Sequence, residues 1–248
     1  MKIVVKENKQ EMSLFAAVEA AQKLNEAIAK NGEARLILAT GESQFDVVKS
    51  LAAQDVDWSK VTMFHLDEYV NLPESHIASF RKYLKERFAD LVNLKAAHYV
   101  NGEGDVKKNI AELTAILREA PVDVAMIGIG ENAHIAFNDP PADFDTKEAY
   151  IVVDLDEKCC MQQVGEGWFA TYDDVPKQAI SMTVYQIMQA HTIICSVPGP
   201  KKVKAVHDTL VTEGVTNLVP ATVLKNHADC YLVLDESSAA GTPAEYLK

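Results

Sequence analysis

The sequence predicts an α/β protein: an open, mostly parallel sheet flanked by helices, Rossmann-like and doubly wound. Three observations carry that expectation. Short apolar runs alternate with longer segments whose apolar residues recur at helical spacing, the pattern of βαβ units. With 248 residues, 48% of them hydrophobic, the chain is long enough for one large core, and no linker divides it, so residues 1–248 are expected to be one domain. Two apolar runs, VTMFHLDEYVNLP and DVAMIGIGENAHIAFNDP, stop abruptly in groups able to move protons. In an open parallel sheet, ligands bind outside the carboxyl ends of the strands.

The elements follow in order. Residues 3–5 read as a first strand, and 11–30 as a helix with Leu14, Ala17, Val18, Ala21, Leu24 and Ile28 on one face. Strands are expected at 34–39, 61–66 and 122–127, with helices at 44–53, 76–90 and 106–119. The second half continues the alternation with strands at 150–153, 192–197 and 230–234 and a helix at 201–212. Residues 139–169 are rich in Pro, Asp and Gly and weakly periodic, which suits a lid or a plain surface excursion.

Composition excludes several classes of partner. The 36 acidic residues outnumber the 24 basic ones, for a net charge of -12, which opposes broad contact with nucleic acid or an anionic membrane. The N-terminus lacks a secretory h-region and no apolar run is long enough to span a bilayer, so a cytoplasmic protein is expected. The four cysteines show no metal-binding or redox spacing and read as reduced core or near-core residues. The seven histidines form no HxH or HxxxH pair, although His65 and His134 could meet at the sheet edge.

Chemistry concentrates at three strand ends. A carboxylate there, such as Asp67, can have its pKa raised by desolvation, which suits it to move a proton to and from carbon. A bare Asp67-Glu68 pair also suits a solvated turn. His134 follows a close turn permitted by Gly128 and Gly130; imidazole titrates nearest neutrality, yet a lone histidine at a strand end can be structural. In LILATGESQFDVV, a strand turns through Thr40, Gly41, Glu42 and Ser43 into an amphipathic helix whose N-terminus favours an anion. Ser43 could instead cap that helix. Lys201, Lys202 and Lys204 supply local cations or form a solvated basic patch.

Four blocks give these residues a family context. They are Leu38-Ala39-Thr40-Gly41; Leu66-Asp67-Glu68-Tyr69-Val70 with Leu72-Pro73; Gly128-x-Gly130 followed by His134-Ile135-Ala136-Phe137-Asn138; and Gly199-x-x-Lys202. On them the chain resembles the glucosamine-6-phosphate deaminases, also called isomerases, within the wider group that includes galactosamine-6-phosphate isomerases and 6-phosphogluconolactonases. The resemblance spans most of the chain. It implies that Asp67 abstracts the C2 proton, that His134 opens the pyranose ring, and that Thr40, Gly41, Ser43 and Lys202 hold the sugar phosphate. Glu68, Gly130 and Glu131 would support them, and a moving lid would lie near 139–169. The expected partner is a small phosphorylated amino sugar, and a homo-oligomer is compatible with the sequence. The proton shift between aldose and ketose needs neither nicotinamide nor metal, so no cofactor is expected.

The chain departs from the family pattern at several positions. Glu42 stands where relatives have a second glycine, and the stretch from Lys158 to Trp168 offers no arginine for the phosphate. Asn132 and Asp139 replace an Asp and a Glu around the histidine, and Ala133 replaces a glycine. Asn132 is expected to orient an imidazole N–H through its carbonyl oxygen, and Glu131 to supply the missing charge. Two other functions remain alternatives: a 6-phosphogluconolactonase-type hydrolase, whose relatives read Asp-Glu-Arg where this chain has Asp67-Glu68-Tyr69, and a non-catalytic sugar-phosphate sensor. No residue distinguishes the gluco from the galacto epimer.

Overall fold

The computed structural model describes residues 1–155, 157–165 and 167–247. Strand β1 (Lys2–Lys6) leads into α1 (Lys9–Asn31), whose start is capped by the Asn8 side chain and whose end is closed by Gly32 at φ 81°. Then come β2 (Ala34–Leu38), α2 (Phe45–Ala52), β3 (Val61–His65), the three-residue strand β4 (Asp67–Tyr69), α3 (Phe80–Leu84), β5 (Ala96–His98), α4 (Val106–Leu117) and β6 (Val124–Ile127). The second half holds β7 (Tyr150–Asp154), α5 (Glu157–Gly165), β8 (Gln178–Met182), α6 (Val184–Ile187), β9 (Thr192–Val197), α7 (Val203–Val211) and β10 (Cys230–Asp235).

Seven strands form one parallel sheet in the order β1-β10-β9-β6-β2-β3-β5. Its two faces are both covered. Leu36 and Leu38 of β2 pack with Leu24 of α1 and Leu51 of α2, while Ile37 and Ala39 pack on the other side with Leu117 of α4 and Val206 of α7. Burying one such aliphatic side chain is worth about 1.5–3 kcal/mol, so strands covered on both sides read as unbroken apolar runs. The chain leaves β2 toward β3 and later returns on its other side as β6. The strand order therefore reverses beside β2, and a crevice opens at the carboxyl ends of β2, β6 and β9.

Not every expected element joins this sheet. The strand expected at 150–153 forms, but as β7 of a separate antiparallel sheet ordered β4-β8-β7. Its burial is uneven along its length, with Val152 exposed, as suits a strand with one wet face. β4 and β5 are too short to show periodicity, and β8 was not anticipated. The helix expected over 76–90 starts only at Phe80, where the Ser79 side chain caps it, and runs on as a π-helical turn through Lys85–Ala89. The weakly periodic stretch 139–169 holds both β7 and α5. Within it Asp156 and Glu166, and the side chains of Lys158, Cys159 and Gln162, lie outside the described residues.

Among the described residues, Cys160 is buried, Cys195 and Cys230 are buried free thiols, and no helix is long and apolar enough to cross a membrane.

Candidate active site

The turns following β2, β3, β6 and β9 enclose a cleft of about 410 Å³. Thr40, Gly41 and Ser43 line it from one side, Asp67 from another, and Gly130, Glu131 and His134 from a third. Lys202 completes the wall. Three expected residues, Glu68, Asn132 and Asp139, stand behind this lining and act on it from there.

Asp67 begins β4, directly after β3, and pairs across β8 with Ser181. It is 7% exposed, and no donor bonds its carboxyl among the described residues. Burial, with a smaller contribution from the Glu68 charge, pushes its pKa up to about 8. Such a carboxyl is poised to give and take a proton near neutrality. Glu68 faces away and is fully buried. It accepts from the backbone N–H groups of Tyr69 and Arg81, the Ser79 hydroxyl and the Arg81 guanidinium. Arg81 in turn donates to the Leu72 carbonyl and to Glu103, so the expected bracing role of Glu68 is a tie between the 67–72 turn and α3. His65, expected as a neighbour of His134, is instead fully buried among Phe80 and Tyr99, and burial lowers its pKa to about 3.

His134 sits on a tight loop after β6 whose Ala133 and Ala136 take positive φ, 67° and 52°. Ala133 occupies a conformation that glycine adopts at less cost. Buried Asn138 secures the loop, donating to the carbonyls of Ile135 and Met182. The imidazole lies over Gly130, where a Cβ would come within 2.2 Å of His134 Nε2 and Cε1. Its Nδ1 is 2.8 Å from Asp139 Oδ1, and Asn132 Nδ2 donates to the same oxygen at 2.8 Å. Burial would raise the Asp139 pKa, but the His134 and Asn132 bonds outweigh it and hold this carboxyl below its ordinary value. An ionised Asp139 only accepts, so the proton of neutral His134 is on Nδ1 and the Nε2 lone pair is left for the cleft.

Two expectations are corrected here. The Asn132 carbonyl oxygen does not orient the imidazole: it accepts the backbone N–H of His134 at 3.1 Å, and its amide reaches the ring only through Asp139. Glu131 does not supply the charge. Its side chain is exposed at the cleft, while the charge beside Nδ1 is that of Asp139.

The turns after β2 and β9 are copies of one another. Gly41 has φ 97° and ψ 161°, and Gly199 φ 90° and ψ 159°. Gln44 N–H closes on the Gly41 carbonyl at 3.0 Å, and Lys202 N–H on that of Gly199 at 3.1 Å. Both then enter a helix, so the N-termini of α2 and α7 open on one cleft. The capping alternative for Ser43 drops out, because no side chain caps this start. Exposed Glu42 also lines the cleft.

Sequence reading missed several lining residues. Lys9 opens α1, lines the cleft and pairs with Asp46 at 2.9 Å. Gln163 and Trp168 line it from the expected lid, and Gln44 from beneath the first turn. Nothing local marks Lys9, since only the packing of α1 along α2 brings it there. Among the described residues no group of three His, Cys, Asp or Glu side chains is placed to hold a metal.

Residues 7–232 match the family described as glucosamine-6-phosphate isomerases/6-phosphogluconolactonase. A glucosamine-6-phosphate deaminase from Streptococcus suis is 37% identical over 241 residues, covering 97% of this chain and 99% of its own. The structure of a monomeric glucosamine-6-phosphate deaminase superimposes with a TM-score of 0.86 at 26% identity, covering 97% of this chain and 99% of that one. A 6-phosphogluconolactonase from Thermotoga maritima, 16% identical with a TM-score of 0.78 and covering 95% and 99% of the two chains, shares the fold.

Proposed function

The chain belongs to the family of glucosamine-6-phosphate isomerases and 6-phosphogluconolactonases, and we propose that, as one catalytic domain, it deaminates an amino-sugar 6-phosphate. Glucosamine 6-phosphate and water would give fructose 6-phosphate and ammonia, with the galacto epimer as the close alternative substrate. The observation that carries this reading is the pairing, in one cleft, of Asp67 with a pKa of about 8 and of His134 with its Nδ1 held by Asp139. A binding protein has no need of two groups so poised to move protons.

In this reading the phosphate lies against the twin turns, where helix N-termini, the Thr40 and Ser43 hydroxyls and Lys202 favour an anion. His134 Nε2 takes the anomeric hydroxyl proton and returns it to the ring oxygen O5 as the C1–O5 bond breaks and the C1 aldehyde forms. Asp67 in its carboxylate form takes the proton from C2 and returns one to C1, and water displaces ammonia from the resulting C2 imine. Gln163 and Trp168 stand where a lid would cover the sugar. The surroundings of Tyr69 disfavour the lactonase reading. Its fully buried ring packs 5.2 Å from Phe80 and 5.5 Å from Phe137, and an arginine there would bring a charge into an apolar cluster.

An ammonia-release assay on both amino-sugar 6-phosphates, run beside hydrolysis of 6-phosphogluconolactone, tests the proposal. Ammonia release from at least one of the phosphorylated amino sugars, with none from free glucosamine and no lactone hydrolysis, is the expected result. Lactone hydrolysis without ammonia would make the protein a hydrolase of the other branch, and binding without turnover would make it a sensor.

A further inference from the structure

Gln44 is 3% exposed and stands between the twin turns. Its side-chain nitrogen donates to the Ser196 carbonyl at 3.1 Å and to Ser43 Oγ at 3.2 Å. The backbone carbonyl can only accept, which fixes the amide orientation: the group facing Ser196 is the NH2. Both of its N–H groups are then used. To reach Ser196, at the end of β9, the side chain passes Gly128, which follows β6. A Cβ on Gly128 would stand 2.8 Å from that nitrogen. Gly128 thus opens the path by which the turn after β2 is tied to the strand that feeds the turn after β9.

The bond to Ser43 has a direction. Gln44 gives a hydrogen to Ser43 Oγ and so cannot accept the serine's own. No acceptor for that hydroxyl hydrogen bonds it among the described residues, and Ser43 lines the cleft. A hydroxyl whose oxygen is already engaged by a donor is preset to donate to an incoming anion.

We propose that Gln44 is a positioning residue for the substrate phosphate: anchored on the Ser196 carbonyl beside the second turn, it sets the Ser43 hydroxyl of the first turn as a donor. The inference rests on the deaminase reading and assigns a role within its phosphate subsite. It acts on binding, because the phosphate takes no part in the proton transfers at C1 and C2.

The test is a cycle of Gln44→Leu, Ser43→Ala and the double variant, each measured for KM and kcat with the amino-sugar 6-phosphate that wild type turns over. A hydrogen bond to a charged group is worth roughly a ten-fold change or more, so Gln44→Leu should raise KM about ten-fold and leave kcat within about two-fold. Acting through Ser43, it should add little further loss to Ser43→Ala. Gly128→Ala, which crowds the Gln44 amide without altering it, should reproduce the rise in KM and covers the case in which Gln44→Leu does not fold. An unchanged KM in Gln44→Leu or Gly128→Ala, or fully additive losses in the double variant, overturns the role of Gln44. Wild-type enzyme that handles phosphorylated and free amino sugar alike would instead overturn the phosphate site itself, and the role of Gln44 with it.

Discussion

Asp67 and Asp139 are the same side chain in opposite surroundings. Asp67 is 7% exposed with no donor to its carboxyl among the described residues, and its pKa is pushed up to about 8. Asp139 is partly buried too, but it meets His134 Nδ1 and Asn132 Nδ2, each at 2.8 Å, and is held below its ordinary value. One is left able to change protonation state near neutrality, and the other is locked as an anion. Burial alone does not decide the role of a carboxylate; the donors that accompany burial do.

The largest expected effect comes from removing the Asp67 carboxyl, the base of the proposed reaction. Asp67→Asn should lower kcat on the order of 10³-fold and abolish exchange of the C2 proton with solvent. It should also stabilise the protein, with a defined pH dependence. The folded-state pKa is raised from 3.8 to about 8, so between those values the native chain keeps a proton that the unfolded chain has released. The contribution of Asp67 to stability is therefore fully present below pH 3.8 and is lost as pH rises toward 8. Asparagine cannot ionise, so melting temperatures of the two proteins should converge near pH 4 and diverge in favour of the variant near pH 9. Retained C2 exchange, or a difference in melting temperature that does not grow with pH, would remove Asp67 from the role of base.

Asp139→Asn probes the other member of the pair and should cost less, about 10²-fold in kcat with the cyclic substrate. The imidazole would lose its anionic partner, and the remaining carbonyl oxygen could not serve Nδ1 and Asn132 equally well. Here the sign of the stability effect reverses. Because the folded pKa is depressed, the wild-type carboxylate stabilises above its unfolded value, and that contribution is lost as pH falls through the folded pKa. The variant should be less stable than wild type at pH 7 and equal to it in strong acid. A loss of stability that is the same at both pH values would mean that shape rather than charge matters at 139.

The smallest effect is expected from Asn132→Asp, the change toward the family pattern. The structure gives it a cost, because the new carboxylate would replace a donor that lies 2.8 Å from Asp139 Oδ1. Two carboxylates at that distance share a proton, so one of them titrates higher and the pair no longer holds a single fixed anion. A few-fold loss of kcat at pH 7 and a lower melting temperature that recovers on acidification are expected. Higher activity with unchanged stability would show that the amide bridge holds nothing and that the longer acid of the relatives is not needed beside an Asp.

The legible parts of the molecule were those written in short stretches of chain. Mainly apolar runs such as 192–197 became β9 at the same bounds, because a strand covered on both faces is built mostly from apolar and small residues. Asp67 and His134 stood out because they end such runs. The pattern at 150–153 predicts the strand β7 but not its sheet, since pairing depends on β8, whose residues lie some way further along the chain. The direction of the Asn132 bonds was misread for a related reason: the choice between ring and backbone is made by a loop held at positive φ, which Asn138 pins to the Met182 carbonyl.

The sequence by itself determined which residue types sit at the ends of the buried strands, because apolar periodicity and its interruption are local properties of the chain. Tertiary structure alone decided what those residues became. It placed Lys9 of α1 and Gln44 beside the twin turns, matched the turn at Gly41 to that at Gly199, left the Asp67 carboxyl without a donor among the described residues and gave Asp139 two. Desolvation and hydrogen-bond partners come from segments distant in sequence, and they set whether a carboxyl carries a proton at neutral pH.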